Sequence, residues 1–201
     1  MRIIAGTAGG TLLASPKGPL IRPSPDKVKQ AIFSSLGERL VGARVLDLFA
    51  GTGALGLEAA SRGAQSVVLV DDSRFCIETA KANAAKARLD ESVRIERGDA
   101  FRVLDAMAQR GEQFDLIFAD PPYEKRQRPQ ASAVRKLLNC PALVSILAPD
   151  GMLVVEHFKS DPAEPTTAWE LDRQLRHGDT MVSLFKNVSR TTTRTSTENQ
   201  P

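Results

Sequence analysis

Cysteine is nearly absent from this chain. Its two examples, Cys76 and Cys140, lie in unrelated segments with no CxxC spacing and no histidine pair beside them, which argues against a disulfide framework or a metal centre. Both are expected to be reduced packing residues, and no metal is expected. The chain also has only two histidines, one tyrosine and one tryptophan, so its core must be chiefly aliphatic. No apolar run approaches the roughly 18 residues of a membrane span. The opening MRIIAGTAGG lacks the apolar segment of a secretory signal, so a cytoplasmic protein without membrane contact is expected. The closing SRTTTRTSTENQP has almost nothing to bury and is expected to be a flexible tail over 189–201.

What is present fits one domain, for which 201 residues are ample. The net charge of +3 is unevenly spread: residues 1–44 hold seven Lys/Arg against two Asp/Glu, whereas residues 45–185 hold 17 against 21. A basic extension over 1–40 thus precedes a mildly acidic main domain over 41–188. Such an extension suits a polyanionic partner, since basic side chains release counterions from phosphates, but it serves solubility equally well.

Beyond residue 40, short apolar runs alternate with amphipathic stretches. Strands are expected at 43–50, 66–71, 92–98, 114–120 and 151–158, and helices at 54–63, 73–89, 100–111 and 131–148. The alternation implies a doubly wound α/β fold of Rossmann type, with a mostly parallel sheet and a ligand crevice at the C-terminal strand ends. Two further strands, about 168–176 and 180–188, would form a hairpin around His177-Gly178-Asp179, and Trp169 should pack in the core. In the extension, RIIAGTAGGTLLAS reads as a small glycine-turned hairpin. Ser24-Pro25-Asp26 then offers an N-cap, a first-turn proline and an acid for a helix over about 25–40. Its Val28, Ile32, Leu36 and Leu40 make one docking face.

Two motifs carry chemistry. DLFAGTGALG, 47–56, sits at a strand-to-helix junction, where Gly51 and Gly53 allow a tight turn and close approach of a ligand. Gly51, Gly53 and Gly56 also satisfy GxGxxG, and Asp71 lies 20 residues on, so a dinucleotide remains admissible. Asp47 favours a ligand with positive charge, such as the ammonium of S-adenosylmethionine, over a pyrophosphate. Asp71 could then accept from the ribose and Asp99 from the adenine, although Asp99 could equally be a helix cap. The second motif is Asp120-Pro121-Pro122-Tyr123. Its prolines fix the backbone and present carbonyls without N–H groups, which suits a donor such as a nucleobase amine, with Tyr123 stacking on the ring. The alternatives are an adenine or DNA amino-methyltransferase, an NAD(P)-dependent oxidoreductase, for which no suitable His or Tyr-Lys pair is found, and a noncatalytic RNA-binding module.

The combination RIIAG, IRPSPDKVKQAIFSSL, VLDLFAGTGALGLEAASRGA, VLVDDS and FADPPY resembles the bacterial small-subunit ribosomal RNA guanine-N2 methyltransferase D family over about residues 1–186. The resemblance implies a class I fold of seven strands ending in an antiparallel hairpin, with S-adenosylmethionine as cofactor. It implies a guanine of 16S rRNA as target, in the small subunit or an assembly intermediate, and a monomer is expected. By position it assigns the cofactor to Arg22, Asp47, Phe49, Gly51, Gly53, Asp71, Asp72, Asp99, Ala100 and Asp120, and the amine to Asp120, Pro121, Pro122 and Tyr123. Arg22-Pro23-Ser24 stands where the family has RPT. Thr7-Ala8-Gly9-Gly10-Thr11 stands where its hairpin is usually basic. Lys17, Arg22, Lys27, Lys29, Lys125, Arg126 and Arg128 are the candidates for RNA phosphates. Glu156 and His157, at the end of the fifth expected strand, receive no role.

Overall fold

The computed structural model describes residues 1–15, 26–122 and 132–188. Five parallel strands, β1 (Arg44–Leu48), β2 (Ser66–Asp71), β3 (Val93–Arg97), β4 (Phe114–Ala119) and β5 (Leu147–Phe158), are followed by an antiparallel pair, β6 (Trp169–His177) and β7 (Thr180–Asn187). The seven-stranded sheet runs β3-β2-β1-β4-β5-β7-β6. Its order reverses direction between β1 and β4, which puts the ligand crevice of a doubly wound sheet above those two strands.

The inner strands β1, β2, β4 and the second half of β5 read as nearly continuous apolar runs because both faces are covered, whereas the edge strands β3 and β6 are polar and largely exposed. One face carries α1 (Asp26–Leu36), α2 (Ala54–Ser61) and α3 (Arg74–Ala87), which pack with Val45, Leu69, Phe118 and Val154. The other carries α4 (Ala100–Gln109), α5 (Ala133–Leu138) and α6 (Pro141–Ile146) over Leu46, Leu48, Ile117 and Val155. Trp169 is buried there and donates from Nε1 to the Leu138 carbonyl at 2.9 Å.

Several boundaries differ from the sequence reading. The helix expected over 25–40 is α1 followed by a separate 3₁₀ turn at Gly37–Leu40, because Gly37 takes φ 56°. The stretch expected as one helix over 131–148 is two: α5 ends near Asn139, and Pro141, whose ring cannot continue a helix, starts α6. The last two residues of that stretch, Leu147 and Ala148, already belong to β5, whose pairing with β4 shifts register between Phe114 and Leu116.

The hairpin of the extension is present and is pressed onto α2. Arg2 and Leu12 bridge antiparallel, and Gly10 N–H donates to the Ile3 carbonyl at 2.9 Å. Gly6, at φ 86°, approaches so closely that a Cβ there would lie 1.8 Å from the Ser61 carbonyl oxygen. The fully buried Glu58 carboxylate accepts from Ile4 N–H at 2.6 Å, Ala5 N–H at 3.1 Å and Arg62 Nε at 2.7 Å. Ser61 adds an acceptor for Ala8 N–H at 2.9 Å.

Lys29 needs correcting as an RNA-facing residue. Its side chain is fully buried, with Nζ 3.9 Å from Glu58 and 3.8 Å from Asp26, and it donates to the Arg2 carbonyl. It lies beside Val28 on the docking face of α1, so a basic residue type there serves the interior. Burial pulls its pKa down while Glu58 holds it up. Removing one member of a buried pair leaves the other charge uncompensated, at about 3–5 kcal/mol. Glu58→Ala should therefore lower the urea-unfolding free energy by about that amount, and adding Lys29→Met should recover a large part of it. A loss below about 1 kcal/mol in the single variant would contradict this view of the extension.

Candidate active site

β1 delivers the chain to the switch point, and a short glycine turn then starts α2. Phe49 sits at φ 61°, uncommon for a phenylalanine, with its ring edge-on to Phe101 at 6.4 Å between centroids. Gly51 and Gly53 follow at φ 55° and 85°. A Cβ on Gly51 would meet nothing within 4 Å, whereas one on Gly53 would come within 3.0 Å of Leu69. The turn therefore keeps an open side at Gly51 and a packed side at Gly53.

Asp47 is 2% exposed and faces the same layer as α2, its Oδ2 accepting from Gly56 N–H at 2.8 Å. Burial pushes this carboxyl up to about 7; the Gly56 hydrogen bond works against the rise and the charge of Asp71 adds to it. Asp71, at the end of β2, braces the turn: Oδ2 accepts from Gly51 N–H at 2.8 Å and Oδ1 from Ser73 N–H at 2.9 Å. Asp72 is exposed, and its carbonyl accepts from Arg97 Nε at 3.1 Å. Asp99 is the N-cap of α4, with Oδ1 accepting from Phe101 and Arg102 N–H at 3.1 and 3.0 Å. The helix-cap alternative is thus realised, and any contact with adenine uses the carboxylate's remaining lone pairs. Ala100 is buried behind it.

Asp120 lies half-buried just past β4, followed by buried Pro121 and exposed Pro122. Pairing of Leu48 with Ala119 sets this segment level with the glycine turn. The structure thus gathers Asp47, Phe49, Gly51, Gly53, Asp71, Asp99, Ala100, Asp120 and Pro121 along one edge of the sheet. Lys27 is exposed in the first turn of α1. Lys17, Arg22, Tyr123, Lys125, Arg126 and Arg128, with the Ser24-Pro25 cap, lie outside the described residues.

Sequence reading missed Asn83. Its buried amide accepts from Ala14 N–H at 2.7 Å and donates to the Ala14 and Thr52 carbonyls at 3.1 and 3.0 Å, fastening the extension to α3 and to the glycine turn. The available signal was a short polar amide within the alanine-rich AKANAAKA run, where helix propensity alone would not select it. Among the described residues no group of acidic, histidine or cysteine side chains could hold a metal. Both cysteines are free, and no helix of the described residues is long and apolar enough to cross a membrane.

Relatives share this frame. YlbH of Bacillus subtilis is 37% identical over 92% of the chain and 98% of its own length, and ribosomal RNA small subunit methyltransferase D of Escherichia coli is 30% identical over 92% and 89%. A solved hypothetical protein of Thermus thermophilus superposes with a TM-score of 0.76 at 29% identity, covering 92% of this chain and 99% of that one. The fold alone extends to SMU.776, solved in complex with SAH, at a TM-score of 0.66 and 18% identity over 83% of this chain and 50% of that one. Fold and relatives together define a class I S-adenosylmethionine-dependent methyltransferase. Within that class the chain belongs to the family described as Conserved hypothetical protein 95, whose model matches residues 1–186.

The donor set fits that cofactor. A desolvated carboxylate beside an open glycine turn gains from a cationic ligand, which a pyrophosphate would not provide. With a folded pKa near 7 against about 3.9 unfolded, Asp47 stabilises the empty protein as the neutral acid below about pH 4. That contribution is lost as pH rises through 7. An ammonium ligand favours the ionised form, so affinity for S-adenosylhomocysteine should rise between about pH 6 and 8. Asp47→Asn should flatten that rise and weaken binding about 10- to 100-fold at pH 8, while 5′-methylthioadenosine, which lacks the amino-acid end, should bind both proteins alike. Calorimetric titration checks all three outcomes.

Proposed function

We propose that this chain transfers a methyl group from S-adenosylmethionine to the exocyclic N2 amine of a guanine in 16S ribosomal RNA. As substrate we propose the small subunit or an assembly intermediate, and the enzyme acts as a monomer. The observation that carries the reading is the position of Asp120-Pro121-Pro122, level with the glycine turn at the switch point. Support for the RNA comes from the name of the Escherichia coli relative, a small-subunit ribosomal RNA methyltransferase. Support for guanine comes from the resemblance in the RIIAG, DLFAGTG and ADPPY segments.

Asp47 and the Gly51-Gly53 turn would hold the amino-acid end of the cofactor, Asp71 and Asp72 the ribose, and Asp99 with Ala100 the adenine. Bound there, S-adenosylmethionine supplies an electrophilic methyl on a positively charged sulfur. The chain's own contribution is orientation. The Asp120 carboxylate and the Pro121 carbonyl accept the two N–H groups of the target amine, which leaves the nitrogen lone pair directed along the crevice toward the methyl. Alignment of this kind accounts for much of the acceleration of a bimolecular displacement. An aromatic amine is too weakly acidic to ionise first, so its proton leaves with or after bond formation, and Asp120 receives it in this reading. Lys27 at the start of α1, with Lys17, Arg22, Lys125, Arg126 and Arg128, supplies the positive rim for phosphates, and Tyr123 supplies a ring on which the base stacks.

Asp120→Ala should reduce methyl transfer from labelled cofactor to undermodified small subunits by at least about 10²-fold, in the range of lost acid–base and orienting groups. Its affinity for S-adenosylhomocysteine should stay within about threefold of the parent, since Asp47, Asp71 and Asp99 carry most of the cofactor contacts; a loss as large as that in rate would instead give Asp120 the cofactor role that the resemblance also assigns it. Nucleoside analysis of the product reads the base: N2-methylguanosine is the expected result, and methyladenosine would overturn the guanine assignment while leaving the amine site intact.

A further inference from the structure

β4 and β5 pair in parallel through Phe118 with Val154 and Ala119 with Val155. β4 ends there, and one residue further the continuation of that register sets Asp120 level with Glu156. Level residues of parallel strands share a face, and the face is identified on both sides: Phe118 and Val154 lie in the layer beneath α1, α2 and α3, as does Val182, the β7 partner of Glu156. His157 takes the opposite face, where its Nε2 meets the Ser183 hydroxyl at 2.9 Å. Glu156 is 5% exposed. The fold thus buries a second carboxylate at the C-terminal end of the strand next to Asp120, about 4.8 Å away in the sheet direction.

A nucleobase edge distinguishes one carboxylate from two. Adenine offers its amine beside N1, a lone pair. Guanine offers its amine beside N1–H, a second donor. A site meant only to read an amine needs the Asp120 segment alone, whereas a neighbouring carboxylate matches the second donor of guanine and opposes the lone pair of adenine. Resting on the guanine-N2 reading above, we propose that Glu156 is a specificity-determining residue, its carboxylate accepting guanine N1–H while Asp120 and Pro121 hold the N2 amine. A carboxylate has about four lone-pair sites, so this hydrogen bond adds to the contacts Glu156 already makes. The same bond shifts electron density onto the guanine ring and its amine, so selection and activation of the acceptor share one contact.

2-Aminopurine separates this role from a structural one, because it keeps the amine at the same position but has a lone pair at N1. The methylated nucleotide is first mapped with the parent enzyme. Small subunits are then reconstituted with 16S RNA carrying either guanosine or 2-aminopurine riboside there, and kcat/KM is measured for each. The parent enzyme should prefer guanosine by at least about 100-fold, since a site built to accept an N–H strongly rejects an analogue lacking it. Glu156→Gln, whose amide donates to N1, should reduce that preference at least tenfold while binding S-adenosylhomocysteine like the parent. A merely structural Glu156 would lower both rates together and leave the ratio unchanged, which would overturn the proposal. So would a parent enzyme equally active on both substrates, a result that needs no variant. Failure of the parent to methylate guanosine at all would instead overturn the underlying reading.

Discussion

The buried Glu58 carboxylate holds three parts of the chain in one arrangement. It accepts from the hairpin backbone at Ile4 and Ala5, from Arg62 on its own helix, and stands opposite Lys29 of α1. Desolvating an ion pair costs several kcal/mol per charge and is offset only when the remaining lone pairs are satisfied, as they are here. The consequence is geometric. With the hairpin fixed to α2 by Glu58 and its exit at Ala14 fixed by Asn83 to α3 and Thr52, the chain is brought to the glycine turn at Ala14. The basic extension is therefore tied to the crevice through buried polar groups, and its apolar residues Ile3, Leu13, Ile32 and Phe33 join the core of the sheet.

The crevice itself is acidic. Asp47, Asp71, Asp99, Asp120 and Glu156 all come to the C-terminal edge of the parallel strands, and Asp47 is desolvated enough that its proton is retained to near neutrality. A field of this sign favours a cationic cofactor and opposes RNA phosphates. Under the proposed function, positive charge for RNA has to come from outside these strand ends, and of the seven basic residues in 1–44 Lys29 and Arg44 are already committed to Glu58 and Asp115. Cofactor and polyanion thus make opposite electrostatic demands on one crevice.

Much of this was legible in sequence. The parallel strands follow from apolar runs bounded by glycine and acid, and the crevice follows from the βαβ order, since both rest on local pattern. Helix limits were less legible where one residue overrides periodicity, as Gly37 and Pro141 do. Lys29 was misread for a different reason: its charge is evident in sequence, but the partner that buries it, Glu58, is 29 residues away and only the fold brings them together. Asn83 and Glu156 share that difficulty. The role of each depends on what lies across from it, on another segment or another strand, and composition carries no trace of register.

The glycine motif shows how a fingerprint can be satisfied without deciding the ligand. Gly56 completes GxGxxG, yet its need for glycine is internal to the protein: a Cβ would lie 2.2 Å from Leu69 Cδ2, 3.0 Å from Val67 Cγ1 and 3.2 Å from Asp47 Oδ2. The third glycine lets α2 settle onto β2 whatever the ligand is, as it does in dinucleotide folds. Close settling also aims the Gly56 N–H at the Asp47 carboxylate, using at the helix N-terminus a donor that a pyrophosphate would otherwise claim. The residue that separates the two cofactor classes is therefore Asp47, which precedes the motif: it occupies the helix end from within and turns an anion cradle into a site for a positive charge.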